Sequence, residues 1–386
     1  MIGDTMKKLG IILICLLGIF FSMKDNQIEK IKEEEIRAVF VSYIELNTYI
    51  KKDSIEESKK NIKNIIHNCK KMKLNTIILH TVISTDTIYQ SNIYPFSSYV
   101  SKEEGSFTFD ILHSFIEEAK SNHIKIIAWI NPYRIRTTSD LSSITEKSPA
   151  YQYLNTDTIY VKNGIYWNPS KKEVEEYILG IVNEITEYSI DGLLMDDYFY
   201  PDNNIDYADY EKVKDQLSIE EYHLQVINQM VKKVHDICQS KNILFGISPD
   251  GNISNNYDSH FADVKRWMEE EGYIDFIMPQ IYYGFYNTMK GFKNTLEEWE
   301  SLIKKSDLMF LPALAFYKIG KIDSYAKEGR EEWILNDNII MREVLLSRNS
   351  KNYRGFALFR YDNIFNMENY TSNSVAEIEN LKKMIN

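Results

Sequence analysis

Three cysteines in 386 residues leave little room for sulfur chemistry. Cys15 lies in an apolar run near the start, while Cys69 and Cys238 have no CxxC neighbour and no histidine at metal-ligand spacing. A cysteine zinc site therefore lacks a ligand set. Both later cysteines read as packing residues on predicted helices, with a disulfide between them left open. Positive charge is also short: 45 Lys and Arg against 56 Asp and Glu give a net charge of -11. A nucleic-acid groove needs clustered cations, so that class of partner is excluded. No glycine-rich phosphate fingerprint follows the first predicted strand, which argues against a doubly wound dinucleotide-binding sheet. The chain has no sequence repeat, low-complexity linker or second domain, and nothing in it implies a cofactor.

Aromatic side chains, by contrast, are abundant: 27 Tyr, 18 Phe and 5 Trp. Some must be core, yet tyrosine at this level also suits a surface that stacks on the flat apolar faces of sugars. The N-terminus carries an address. Lys7 and Lys8 precede LGIILICLLGIFF, residues 9–21, an apolar run of 13. A basic lead and a run this short fit an export-signal core and fall short of a membrane span. A buried N-terminal helix is the bland alternative, but no polar face interrupts the run. No small-x-small cleavage site follows, and Ile14 before Cys15 makes a poor lipoprotein site. The expected organisation is a signal or anchor over 1–23, a charged tether over 24–35 and one domain over 36–386, working outside the cytoplasm, secreted or held at the cell surface.

From Ile36 onward, short apolar runs alternate with amphipathic stretches. The runs are RAVFVSYI (37–44), NTIILHTV (75–82), KIIAWINP (125–132), DGLLMDD (191–197), ILFGISP (243–249), DFIMPQIY (275–282), LMFLPALAF (308–316) and GFALFRY (355–361). Helices are expected after them over about 54–72, 110–122, 171–188, 219–240, 259–271, 292–305, 330–348 and 374–384. Apolar strands buried on both faces and each followed by a helix are what a parallel sheet requires. Eight such units predict a closed (β/α)8 TIM barrel. The strand-to-helix connections are the long ones, 83–109, 133–170 and 198–218. In a barrel all of these lie at the C-terminal face, where ligands bind.

The strand ends carry the chemistry. His80 ends the second strand, and Trp129, Asn131, Tyr133 and Arg134 end the third. Asp196 and Asp197 end the fourth, Asp250 follows the fifth, Gln280 and Tyr282 follow the sixth, and Arg360 and Asp362 follow the eighth. Glycosidic hydrolysis needs one carboxyl to protonate the leaving oxygen and a second, ionised one to attack or to activate water. Asp196 and Asp197 can supply one partner, with Arg134 or Arg360 able to keep it ionised. Successive strand residues face opposite ways, so only one of the two points to the barrel axis. Asp250 is the best candidate for the second carboxyl and Asp362 the next. The bland readings stand beside these. An Asp pair at a strand end also caps helices, and Asp250 before Gly251 is a common turn. Trp129 and Trp167 are core residues or a sugar-stacking rim. His80 has no H-x-H partner and reads as a hydrogen-bonded wall residue rather than a metal ligand.

Six segments occur together in order: IYQSNIYPFSSYVSKEEG (88–105), AWINPYR (128–134), YWNPS (166–170), DGLLMDDYFYP (191–201), FGISPDGN (245–252) and DFIMPQIYY (275–283). They closely resemble the bacterial glycosyl-hydrolase-like family ten, over about residues 36–365. The resemblance implies a (β/α)8 barrel. It also implies an envelope enzyme that cuts peptidoglycan glycan strands from which stem peptides have been removed. Carried over residue by residue, the implied site positions are Asn131, Tyr133 and Arg134, then Asp196, Asp197 and Tyr198, then Gln280 and Tyr282. The chain departs from the family where HTVIS (80–84) stands in place of a Q-V-R-P stretch, and where Asp250 replaces an apolar residue after Ser-Pro. The leading expectation is thus a glycoside hydrolase acting on cell-wall polysaccharide. The alternatives are a catalytically silent glycan-binding envelope protein, and a metal-dependent hydrolase using Asp196, Asp197 and His80.

Overall fold

The computed structural model describes residues 34–196 and 199–385. The expected signal over 1–23 lies outside the described residues, as does the tether except for Glu34 and Glu35. Among the described residues no helix is long and apolar enough to cross a membrane.

Eight strands form in the expected places: β1 Ile36–Val41, β2 Thr76–Ile83, β3 Lys125–Ile130, β4 Gly192–Met195, β5 Leu244–Ile247, β6 Phe276–Ile277, β7 in two pieces, Met309–Phe310 and Ala313–Leu314, and β8 Gly355–Leu358. Each pairs in parallel with its sequence neighbours, and β8 pairs with β1. The sheet closes through β7. Its first piece pairs with β6 and its second with β8. Pro312 lies between them. The N–H it lacks falls on the β8 side, where its carbonyl accepts from Ala357 N–H at 3.0 Å. Both pieces bond to both neighbours: before the proline Phe310 N–H donates to the Asn352 carbonyl at 3.0 Å, and after it Ala313 N–H donates to the Pro279 carbonyl at 2.9 Å.

Alternation along the strands sorts the apolar residues into two cores. Val39, Val41, Ile77 and Leu79 face outward into the layer between strands and helices. Ala38, Phe40, Ile78, Ile127, Trp129, Leu194, Phe276 and Leu311 fill the barrel interior, which is packed rather than open. Phe276 fits because Gly246 lies beside it. A Cβ on that glycine would meet the ring at 2.3 Å.

The helices start where their caps stand. Ser54 accepts from Glu57 N–H at 3.2 Å, and Asp110 from His113 N–H at 2.7 Å. Ser218 and Glu221 form a capping box that opens Ile219–Ser240, the span expected from periodicity. Three departures bear on the site. The 133–170 connection holds an antiparallel ladder of Arg134–Arg136, Ile165–Trp167 and Ile159–Val161. The helix expected over 259–271 shortens to Val264–Glu269, and a separate short helix, Ile253–Asp258, precedes it, with Phe261 left-handed (φ 49) between the two. A short helix, Tyr43–Tyr49, follows β1 directly, opened by a Ser42–Glu45 capping box where the sequence suggests that the strand runs on to residue 44. Cys69 and Cys238 are both buried and free.

Candidate active site

Register brings three side chains to one point. His80 on β2 lies directly opposite Trp129 on β3, and Ile130 opposite Met195 on β4. One step further along, Asn131 and Asp196 are therefore neighbours. Trp129 and Leu194 point to the axis. By alternation Asn131 and Asp196, two residues on, point the same way. Asn131 Nδ2 and Trp129 Nε1 both donate to Asp196 Oδ2, the latter at 3.3 Å. The other end of the Asn131 amide meets His80 Nε2 at 2.7 Å. Imidazole and indole stack, with centroids 3.8 Å apart and planes at 14°. Asp196, Asn131, His80 and Trp129 are all buried. Burial pushes the His80 imidazole down to about 3, the Arg134 charge adds to that, and the contact with Asn131 opposes it. His80 is therefore neutral at ordinary pH.

Aromatic rings surround this centre. Tyr43 meets His80 edge-on at 6.0 Å and Tyr99 at 4.9 Å. On the far side Phe359 touches Phe40 (5.3 Å) and Tyr282 (5.8 Å), and Tyr282 meets Tyr317 at 5.9 Å. Sequence reasoning does not single out Tyr43, Tyr99 or Phe359. For Phe359 the signal is present, since it alternates with the inward-facing Ala357. Tyr43 depends on the short helix after β1, and Tyr99 on the path of a long loop.

The remaining candidate residues are placed elsewhere or differently. Asp197 and Tyr198 lie outside the described residues. Arg134 is half-buried at the rim, paired across the ladder with Tyr166. Tyr133 does not reach the mouth: it is 1 % exposed and packs edge-on to Phe199 on the outward side, where burial drives its phenol far up. Trp167 is not a stacking rim. It is 0 % exposed, lying against Tyr177 under the 133–170 connection, because the ladder turns it away from solvent. Asp250 is held as a turn-former: Oδ1 accepts from Asn252 N–H at 2.7 Å and Oδ2 from Asn255 Nδ2 at 3.0 Å, at the start of helix Ile253–Asp258. Gln280 donates to the Ser248 carbonyl at 3.0 Å and links the ends of β5, β6 and β7. Arg360 does not serve Asp196. It pairs with the fully buried Glu45, which also accepts from the Ser42 N–H (2.9 Å), the Ser42 hydroxyl (2.5 Å) and Asp362 N–H (3.2 Å). Asp362 in turn accepts from Tyr49 OH at 2.8 Å.

A second acidic group on the rim escapes the sequence pattern. Asp86 follows β2 in a tight hairpin and shares Arg136 with Glu104, at 3.3 and 2.5 Å. Burial, and then the Glu104 charge, raise the Asp86 carboxyl against the pull of Arg136. A cavity of about 180 Å³ lies among the connections after β3, β4 and β5, walled by Tyr166 and Tyr200 with Lys162, Asn163 and His260. A larger one, about 520 Å³, sits on the 285–298 segment and contains none of the candidate side chains. Among the described residues no group of three or more His, Cys, Asp or Glu is placed to hold a metal ion.

A closed (β/α)8 barrel with a carboxylate held by amide and indole donors at its C-terminal face has the build of a TIM-barrel glycoside hydrolase. The model of the family "Glycosyl hydrolase-like 10" matches residues 35–329, and the chain belongs to that family. Its enzyme class is accordingly that of a glycoside hydrolase. The chain is 29% identical over 352 residues to the glycosyl hydrolase YngK of Bacillus subtilis, covering 84% of this chain and 67% of that one. It is 26% identical over 330 residues to the glycosyl hydrolase DigH of Escherichia coli, covering 77% and 74%. Among solved structures, the glycoside hydrolase domain of PgaB (BpsB) from Bordetella bronchiseptica superposes with a TM-score of 0.55 at 12% identity, over 90% of this chain and 99% of that domain, a likeness of fold.

Proposed function

We propose that the chain hydrolyses glycosidic bonds in bacterial cell-wall polysaccharide, namely peptidoglycan strands freed of stem peptides, outside the cytoplasm and in association with the cell envelope. The observation that carries the catalytic part is the Asp196 centre. An axis-facing carboxylate at the C-terminal end of β4 has one oxygen fixed by the Asn131 and Trp129 N–H groups. Such a carboxylate suits the ionised partner of a two-carboxyl mechanism, as base or nucleophile at the anomeric carbon. The tyrosines and Phe359 around it offer apolar faces to pyranose rings. The choice of glycan rests on the six family-like segments, and the location on the basic lead and apolar run over residues 7–21.

The test is reducing-end release from amidase-treated, peptide-free peptidoglycan by wild type beside Asp196→Asn. Wild type releases reducing ends, and the variant loses at least about a hundredfold in rate while still retaining the glycan on pull-down. Release by the variant at the wild-type rate removes Asp196 from the chemistry. Glycan retention without release by wild type makes the chain a binding protein.

A further inference from the structure

We infer that His80 is a positioning residue for Asp196, acting through Asn131 by fixing which end of the Asn131 amide faces the carboxylate. The inference rests on Asp196 being the reactive carboxylate of the hydrolysis proposed above. A place at a strand end suggests a wall residue that touches substrate, yet His80 is 2 % exposed and lies behind Trp129, with almost no surface to offer a sugar.

An asparagine side chain has one donor end and one acceptor end, and a half-turn exchanges them. Here the NH2 end faces Asp196 Oδ2 and the carbonyl end lies 2.7 Å from His80 Nε2. An amide oxygen only accepts, so Nε2 is the ring nitrogen that carries hydrogen. Burial and the Arg134 charge keep the ring neutral, so it has one N–H and no second proton to move. Stacking on the Trp129 indole restrains the ring from turning the other nitrogen toward Asn131. The same indole supplies the second donor to Asp196 Oδ2 at 3.3 Å.

The consequence is a division of labour. With His80 in place, Asp196 Oδ2 receives two N–H donors and is held as an acceptor, the state required of a base or nucleophile. Without the His80 donor, the Asn131 amide is free to turn its oxygen toward Asp196. Two facing acceptors then repel unless the carboxyl takes up a proton, and Asp196 becomes a carboxylic acid at the pH where it should be ionised. His80 thus sets the role of a carboxylate that it does not touch.

The experiment uses the full chain with His80→Phe, which keeps a ring for Trp129 to stack on but has no donor, and His80→Gln, whose amide NH2 lies near the place of Nε2. The Trp129 indole N–H resonance, identified by its loss in Trp129→Phe, reports Asp196 protonation through pH and needs no substrate. In His80→Phe its titration midpoint rises by about one pH unit, and the acid limb of the kcat/KM profile rises with it, a loss of about tenfold at the former midpoint. KM stays unchanged, and His80→Gln restores both readings. An unmoved midpoint in His80→Phe overturns the inference. So does a His80→Gln variant displaced as far as His80→Phe, because the donor is then not what matters. A rise in KM with an unmoved midpoint returns His80 to substrate contact. If wild type cleaves no glycan, the hydrolase reading falls while the indole titration still decides the role of His80.

Discussion

A buried pair of carboxyl groups far from Asp196 makes the stability of this protein depend on pH in an unusual direction. Glu343 on helix Ile339–Ser347 is fully buried, and neither of its oxygens has a hydrogen-bond partner among the described residues. Glu377 on helix Ser372–Ile385 is 1 % exposed, and one of its oxygens accepts from Met341 N–H at 2.7 Å. Burial is the main cause that raises both carboxyls, and it lifts Glu377 from 4.5 to about 7. The charges of Glu377 and Glu332 raise Glu343 further, opposed by Lys318 and Arg342, while Asp337 adds to Glu377. The folded state therefore keeps a proton that the unfolded chain releases above about pH 4.5. For Glu377, stability falls as pH rises from there through about 7, and then levels off. For Glu377 alone the loss between pH 4 and 8 is about 3 kcal/mol, since each pH unit between the unfolded and folded values is worth about 1.36 kcal/mol.

His80 works in the opposite sense. Its folded value of about 3 destabilises the protein as pH drops below that of an ordinary histidine. Raw stability curves mix the two effects. The difference between wild type and Glu377→Gln cancels His80, and glutamine keeps an oxygen for Met341 N–H. Urea unfolding at half-unit steps from pH 4 to 8 should show Glu377→Gln gaining about 3 kcal/mol on wild type across that range. A difference that stays flat within about 0.5 kcal/mol refutes the reasoning, since it means Glu377 titrates alike in the folded and unfolded chain.

Asp250→Asn keeps one turn acceptor, so glycan cleavage should stay within about a few-fold of wild type, while Asp250→Ala costs about 1 kcal/mol in urea unfolding. A hundredfold loss in Asp250→Asn at unchanged stability would instead make Asp250 the second carboxyl. Trp167→Ala should cost about 3–5 kcal/mol of stability through the cavity it leaves. A rise in KM with stability unchanged would return Trp167 to the sugar groove.

Much of the fold is written locally. Strand runs, helix periodicity and caps are short-range features. Helix Ile219–Ser240 is therefore legible from Ser218, Glu221 and its apolar spacing, and eight strand-helix units can be counted along the chain. Alternation also implies that only one of two adjacent aspartates faces the axis, and the β4 register gives that place to Asp196. Closure is another matter. Which carboxylate is neutralised, capped or left to react depends on partners that come near only when the barrel closes. Arg360 reaches Glu45 across 315 positions of sequence, and Asn131 reaches Asp196 across 65. Trp167 has the look of a rim residue beside a long connection until that connection folds into a ladder over it. Asp250 offers two carboxylate oxygens until Asn252 and Asn255 take both. The order of residues along the chain determined which of them lie at the strand ends, since strand period is a property of neighbouring residues. Only the tertiary structure decided which of them hold one another, because hydrogen bonds and burial depend on distance in space.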